Sequence, residues 1–158
     1  AAAAAGIDGL LIVDCPPEEA AIFHQTCLTQ HIAPIYIITP ATSLARIQQI
    51  DRQAHGFLYY ACRKGTTGVR DALPADFAEK MRMIKSVVHL PVIVGFGIAT
   101  RQMTEQVLQY ADGAVVASRF VQAIEEGASV AELTRLAREI YPESAKKIVN
   151  MDSRENRC

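Results

Sequence analysis

Strand-length apolar runs alternate with longer amphipathic stretches along almost the whole chain, and no other feature of the sequence restricts the fold as much. The runs fall at residues 9–13, 33–38, 56–61, 91–94 and 113–116. Continuous apolar runs suit strands covered on both faces, as in a parallel sheet, better than the half-polar alternation of a solvated antiparallel one. Between and after them lie helix candidates at 18–29, 43–53, 75–86, 100–110, 118–125 and 130–140. Local signals agree with this division. Thr42 or Ser43 can cap the helix that opens at Leu44, Pro74 suits the start of the next, and Thr100 can cap the one after it. Within that last segment Met103, Val107 and Leu108 recur at helical spacing and form one apolar face, which needs a sheet to cover.

Repeated βα units imply an α/β fold around a parallel sheet. Two architectures remain open on periodicity alone: an open doubly wound sheet of five strands, or part of a (β/α)8 TIM barrel, which typically takes about 250 residues. The glycine positions described below favour the barrel, with this chain supplying roughly its last five βα units. Residues 1–5 are all alanine and have neither the positive start nor the apolar core of a signal peptide, so they read as a placeholder. Strand pattern begins almost at once, at Gly9, so the chain is expected to enter its domain part-way, with three strands upstream. The division expected is residues 6–140 as the C-terminal portion of one barrel and 141–158 as a charged tail.

Composition narrows the partners. Sixteen basic and seventeen acidic residues give a net charge of −1 with no long run of either sign, so no field draws in nucleic acid or an anionic membrane. A small neutral or anionic ligand fits better. No apolar stretch approaches the roughly 20 residues of a membrane-spanning helix. Cys15, Cys27, Cys62 and Cys158 match neither a CxxC metal pair nor a compact disulfide framework, which points to a reducing, cytoplasmic setting. His24, His31, His55 and His89 have no metal-ligand spacing and read as surface or packing residues.

Three loops can carry chemistry. Arg63-Lys64-Gly65-Thr66-Thr67-Gly68 follows the third apolar run, and its glycines and hydroxyls can turn backbone N–H groups toward an anion. Gly95-Phe96-Gly97 follows the fourth run, and Ala117-Ser118 follows the fifth and opens a short helix. In a (β/α)8 barrel the loops after the seventh and eighth strands, with a helix N-terminus, commonly hold a phosphate.

Asp14-Cys-Pro-Pro-Glu-Glu19, Tyr59-Tyr-Ala-Cys-Arg-Lys-Gly-Thr-Thr-Gly68, Leu73-Pro74 and Pro91-Val-Ile-Val-Gly-Phe-Gly-Ile98 follow one another in the order and spacing of tryptophan synthase alpha subunits. The chain resembles the C-terminal half or more of that family. The resemblance implies retro-aldol cleavage of indole-3-glycerol phosphate to indole and glyceraldehyde 3-phosphate, with the indole passed to a beta subunit. It implies no metal or organic cofactor in this chain, pyridoxal phosphate being expected only in the beta-subunit partner. Gly68, Gly97, Ala117 and Ser118 match phosphate-binding positions, and Phe96, Leu11, Ile37 and Tyr59 match the lining of an indole pocket. Thr67 matches a hydroxyl on a mobile loop that supports a catalytic carboxylate, and Pro16 matches a surface facing the beta subunit.

The acid and base, a Glu and an Asp in the family, are expected upstream of Gly6. Asp14 matches a partner-facing strand end and Asp112 a helix-to-strand turn, so neither is assigned catalysis. One departure stands out: Ala117-Ser118 replaces the family's usual Gly-Ser, and the phosphate site is expected to be kept if Ala117 has negative φ and to be shifted or weakened if φ is positive. Two other readings remain at this point. One is a catalytically lost alpha-like subunit that only binds and activates the beta subunit. The other is another phosphate-binding barrel enzyme, such as one of histidine biosynthesis.

Overall fold

A computed structural model describes residues 1–62, 73–95 and 97–142. Five strands, β1 (Gly9–Leu11), β2 (Ala33–Ile38), β3 (Leu58–Ala61), β4 (Val92–Gly95) and β5 (Gly113–Ala114), form one sheet in the order β1-β2-β3-β4-β5. Every adjacent pair is parallel. The helices α1 (Ala21–Thr29), α2 (Leu44–Asp51), α3 (Phe77–Lys85) and α4 (Arg101–Leu108) connect successive strands, and α5 (Ser118–Glu125) and α6 (Val130–Ile140) follow β5.

Strand order settles the choice between architectures. A doubly wound sheet needs a point where the order reverses, and here each crossover advances one place in one direction. Crossovers between parallel strands are right-handed, so α1 to α4 fall on one face of the sheet. The other face is the one that lines the interior of a (β/α)8 barrel.

Burial follows this division. Ile38, Leu58, Val92 and Val94 are fully buried on the helix side. They share a core with Ile47 and Ile50 of α2, Met81 and Ile84 of α3, and Met103 and Val107 of α4. Each such side chain stabilises the fold by about 1.5–3 kcal/mol relative to exposure. Leu11, Ile37, Tyr59 and Ile93 alternate with these residues along the strands, so they point to the opposite face, where they are only half-buried.

Ser43 caps α2 by accepting from the Arg46 N–H, while Thr42 instead accepts from the Thr39 N–H at 3.0 Å. Thr100 caps α4 through the Met103 N–H at 3.2 Å. Helix α1 begins at Ala21, three residues later than its sequence suggests, because the Pro16 and Pro17 carbonyls take the Glu19 and Ala20 N–H groups in turns of 2.9 and 3.3 Å. Helix α3 likewise starts at Phe77, whose N–H bonds the Pro74 carbonyl at 3.0 Å, so Pro74 sits one turn ahead of the helix. Pro91 has no N–H to give the ladder, and β4 therefore runs from Val92 to Gly95.

A buried carboxylate joins two crossovers. Asp51, the last residue of α2 and only 7% exposed, accepts from the backbone N–H groups of His89 and Leu90 and from the His89 ring at 3.0 Å. Burial alone would raise this carboxyl. The ring and the two backbone donors outweigh it and hold Asp51 below the usual carboxylate range. Because its folded pKa lies below the unfolded value of about 3.9, its stabilisation is complete well above that pH and disappears as pH falls through the folded value. Asp51→Asn should therefore cost about 1–3 kcal/mol at pH 7. The gap from the parent protein should shrink at pH values below about 4. Urea unfolding at both pH values measures this, and an equal loss at each would assign the effect to packing instead.

Candidate functional site

Because all five strands run the same way, the loops that follow them gather at one end of the sheet. The register places two of these loops side by side. Val94 of β4 is paired with Ala114 of β5, and the Val115 N–H donates to the Val94 carbonyl at 2.8 Å. Gly97 lies three residues beyond Val94, and Ala117 and Ser118 lie just beyond Val115.

Gly97 is buried and has φ +81°, a left-handed conformation that costs an L side chain about 1–2 kcal/mol. Ala117 has φ −115° and ψ −56°, within the reach of any L residue, so alanine stands there without backbone strain and keeps its N–H. The condition attached to this departure from Gly-Ser is met. Ser118 begins α5. The Ala117 carbonyl accepts from Phe120 and Val121 at 2.9 and 3.0 Å, while the N–H groups of Ala117, Ser118 and Arg119 bond to none of the described residues. N–H groups at the positive end of a helix dipole suit an anion.

The expected apolar lining lies on the open face of the sheet. Ile37, Tyr59, Ile93 and Gly113 form one register row across four strands, and Leu11 is paired with Ile35 on the same face. Glycines leave room for their large neighbours. A Cβ on Gly95 would lie 1.8 Å from the Tyr59 hydroxyl, and one on Gly113 would lie 2.6 Å from Ile93 Cδ1. Tyr59 therefore leans over Gly95 toward the loop end of the sheet. Burial, with the nearby Cys62 thiol, pushes its phenol above the ordinary value, so it remains a protonated donor at neutral pH.

Asp14, Cys15, Pro16, Ile37 and Arg46 help line a second hollow of about 720 Å³ at the ends of β1 and β2. Asp14 and Pro16 are exposed there, and Glu18 of the same loop forms an ion pair with Arg46 of α2. Asp112 has a structural task at the opposite end of the sheet. It accepts from Lys85 at 2.6 Å and from the Val92 N–H at 2.8 Å. Despite partial burial these partners keep it below the usual carboxylate range. Thr67, Gly68 and Phe96 lie outside the described residues.

Two features went unassigned in the sequence. Gly95 stands in the Gly-Phe-Gly motif, but its link to Tyr59 depends on the β3–β4 register, where Ala61 pairs with Gly95. The capping box of Ser129 and Glu132 at the start of α6 is legible as Ser-x-x-Glu before an apolar stretch.

Comparison with known proteins agrees with this geometry. Residues 1–150 match the family described as "Tryptophan synthase alpha chain". A tryptophan synthase alpha chain from Coxiella burnetii (strain CbuK_Q154) is 54% identical over 138 residues, covering 87% of this chain and 54% of the relative. One from Chlamydia felis is 41% identical over 143 residues, covering 88% and 56%. Among solved structures, tryptophan synthase of Mycobacterium tuberculosis superposes with a TM-score of 0.78 at 32% identity, covering 88% of this chain and 52% of that one. The tryptophan synthase α2β2 complex of Pyrococcus furiosus gives 0.76 at 33%, covering 88% and 56%. The chain spans about half the length of the curated relatives it matches. A single-direction parallel sheet, a family match over residues 1–150 and relatives up to 54% identical place the chain in the tryptophan synthase alpha chain family.

Proposed function

We propose that this chain supplies the phosphate grip and one apolar wall of a lyase that cleaves indole-3-glycerol phosphate into indole and glyceraldehyde 3-phosphate. The observation that carries this reading is the left-handed turn at Gly97 beside the open N-terminus of α5 on the neighbouring strand. Backbone N–H groups there, with the Ser118 hydroxyl, hold the phosphate dianion. The glycerol chain then extends toward Tyr59, and the indole rests on the face built from Leu11, Ile37 and Tyr59. Phosphate anchoring fixes the scissile bond relative to the acid–base groups, which are carboxylates placed outside the residues of this chain.

Cleavage of this kind moves protons and needs no metal or organic cofactor here. The product indole is aromatic, apolar and readily lost to solvent, so a neighbouring beta subunit that consumes it is the natural recipient, with the loop around Pro16 facing it. The P. furiosus relative is described in just such an α2β2 complex, with mutual activation of its subunits. Among the described residues no helix is long and apolar enough to cross a membrane, and a cytoplasmic setting suits the free thiols of Cys15 and Cys27.

Two variants separate the phosphate grip from the apolar wall. Gly97→Val strains the backbone and also blocks close approach of the ligand. The folded fraction should bind glycerol 3-phosphate at least about tenfold more weakly, equivalent to about 1.4 kcal/mol. Calorimetric titration reads this directly, and unchanged affinity would remove Gly97 from the site. Gly95→Ala should instead displace the Tyr59 ring and leave phosphate affinity nearly intact. Lyase turnover in the protein that carries this chain, assayed with its beta subunit, should fall, since a shift of about 1 Å can cost roughly a hundredfold. Turnover at the parent level would mean that Tyr59 does not contact the reacting part of the substrate.

A further inference from the structure

At the end of the sheet away from the phosphate loops, two histidines from different elements face each other on the helix side. His24 projects from α1, and His55 sits between α2 and β3, where its backbone N–H bonds the Pro34 carbonyl at 3.0 Å. Their ring centres are 5.8 Å apart at an interplanar angle of 61°. With a metal–nitrogen bond of about 2.0–2.1 Å and a ring radius of about 1.1 Å, two imidazoles sharing a tetrahedral ion place their centres about 5.2 Å apart. A small rotation of the exposed His55 side chain spans the difference.

Each ring has a polar group beside its Nδ1, which leaves Nε2 for an ion. His55 Nδ1 lies 3.2 Å from the Gln53 carbonyl, which can only accept, so Nδ1 carries the proton and Nε2 keeps its lone pair. His24 Nδ1 lies 3.4 Å from the hydroxyl of Tyr36, and with an ion on Nε2 the ring proton sits on Nδ1, where the phenol oxygen can accept it. Metal-ligating histidines characteristically have this second-nitrogen support, which fixes ring orientation and raises the basicity of the free nitrogen. Neither Nε2 has a partner among the described residues.

We infer that His24 and His55 form a two-imidazole site for a borderline divalent transition ion such as Ni²⁺, Cu²⁺ or Zn²⁺, remote from the substrate site and completed by water. Among the described residues no cluster of three or more His, Cys, Asp and Glu is placed to hold a metal ion. The site is therefore open and exchangeable, and it lacks the oxygen ligands that Ca²⁺ and Mg²⁺ require.

Substoichiometric Ni²⁺, followed by the ring Cε1–H resonances of the four histidines, tests this without relying on activity or on the cysteines. His24 and His55 should broaden together and before His31 and His89. His55→Gln, at an exposed position, should leave the fold intact and weaken the Ni²⁺ affinity read from the broadening of His24 at least about tenfold, or about 1.4 kcal/mol. Equal broadening of all four rings, or unchanged broadening of His24 in the variant, would overturn the assignment.

Discussion

Each strand is joined to the next by a crossover that advances one place in the same direction, and most other features of the molecule follow from this winding. Right-handed crossovers of a single direction send every connecting helix to one face and every strand C-terminus to one end. The helices bury that face of β2, β3 and β4, while the other holds half-buried Leu11, Ile37, Tyr59 and Ile93. Structure and function are thereby separated in space. Residues that hold the sheet together point toward the helices, and residues able to touch a ligand point away from them.

The same separation appears among the carboxylates. Asp51 and Asp112 are both held ionised by hydrogen bonds, yet each serves the ends of strands far from the loops, one binding the turn before β4 and the other the Val92 N–H and Lys85. The site proposed for phosphate uses no carboxylate among the described residues and would rely on peptide dipoles, as suits a ligand that is itself a dianion.

Much of this was legible in the sequence because it depended on local rules. Apolar runs at residues 33–38 and helical spacing at Met103 and Val107 depend only on periodicity, and Ser43 and Thr100 cap the helices they precede. Strand and helix ends were less legible. Pro16 and Pro17 use their carbonyls in turns before α1, which sequence patterning alone reads as the helix itself. Contacts between strands were least legible of all. Tyr59 and Gly95 are distant in sequence, and only the register shows that one fills the space the other leaves. The two-histidine pair was hidden for the same reason, since His24 and His55 share no spacing rule and meet only because α1 and the α2–β3 turn pack beside one another.

The backbone at Ala117 changes how recognition at this site can drift over time. With φ at −115°, nothing about the peptide there demands glycine, and the group offered to the ligand is an N–H that nearly every amino acid possesses. In the proposed site, the information for binding an anion is thus stored in the path of the chain between β5 and α5 and hardly at all in the identity of the residue. The backbone at this position accepts any small side chain, whereas Gly97, bound to its left-handed turn, has no such liberty. The two adjoining halves of the proposed site therefore carry different constraints, one on chemistry and the other only on shape.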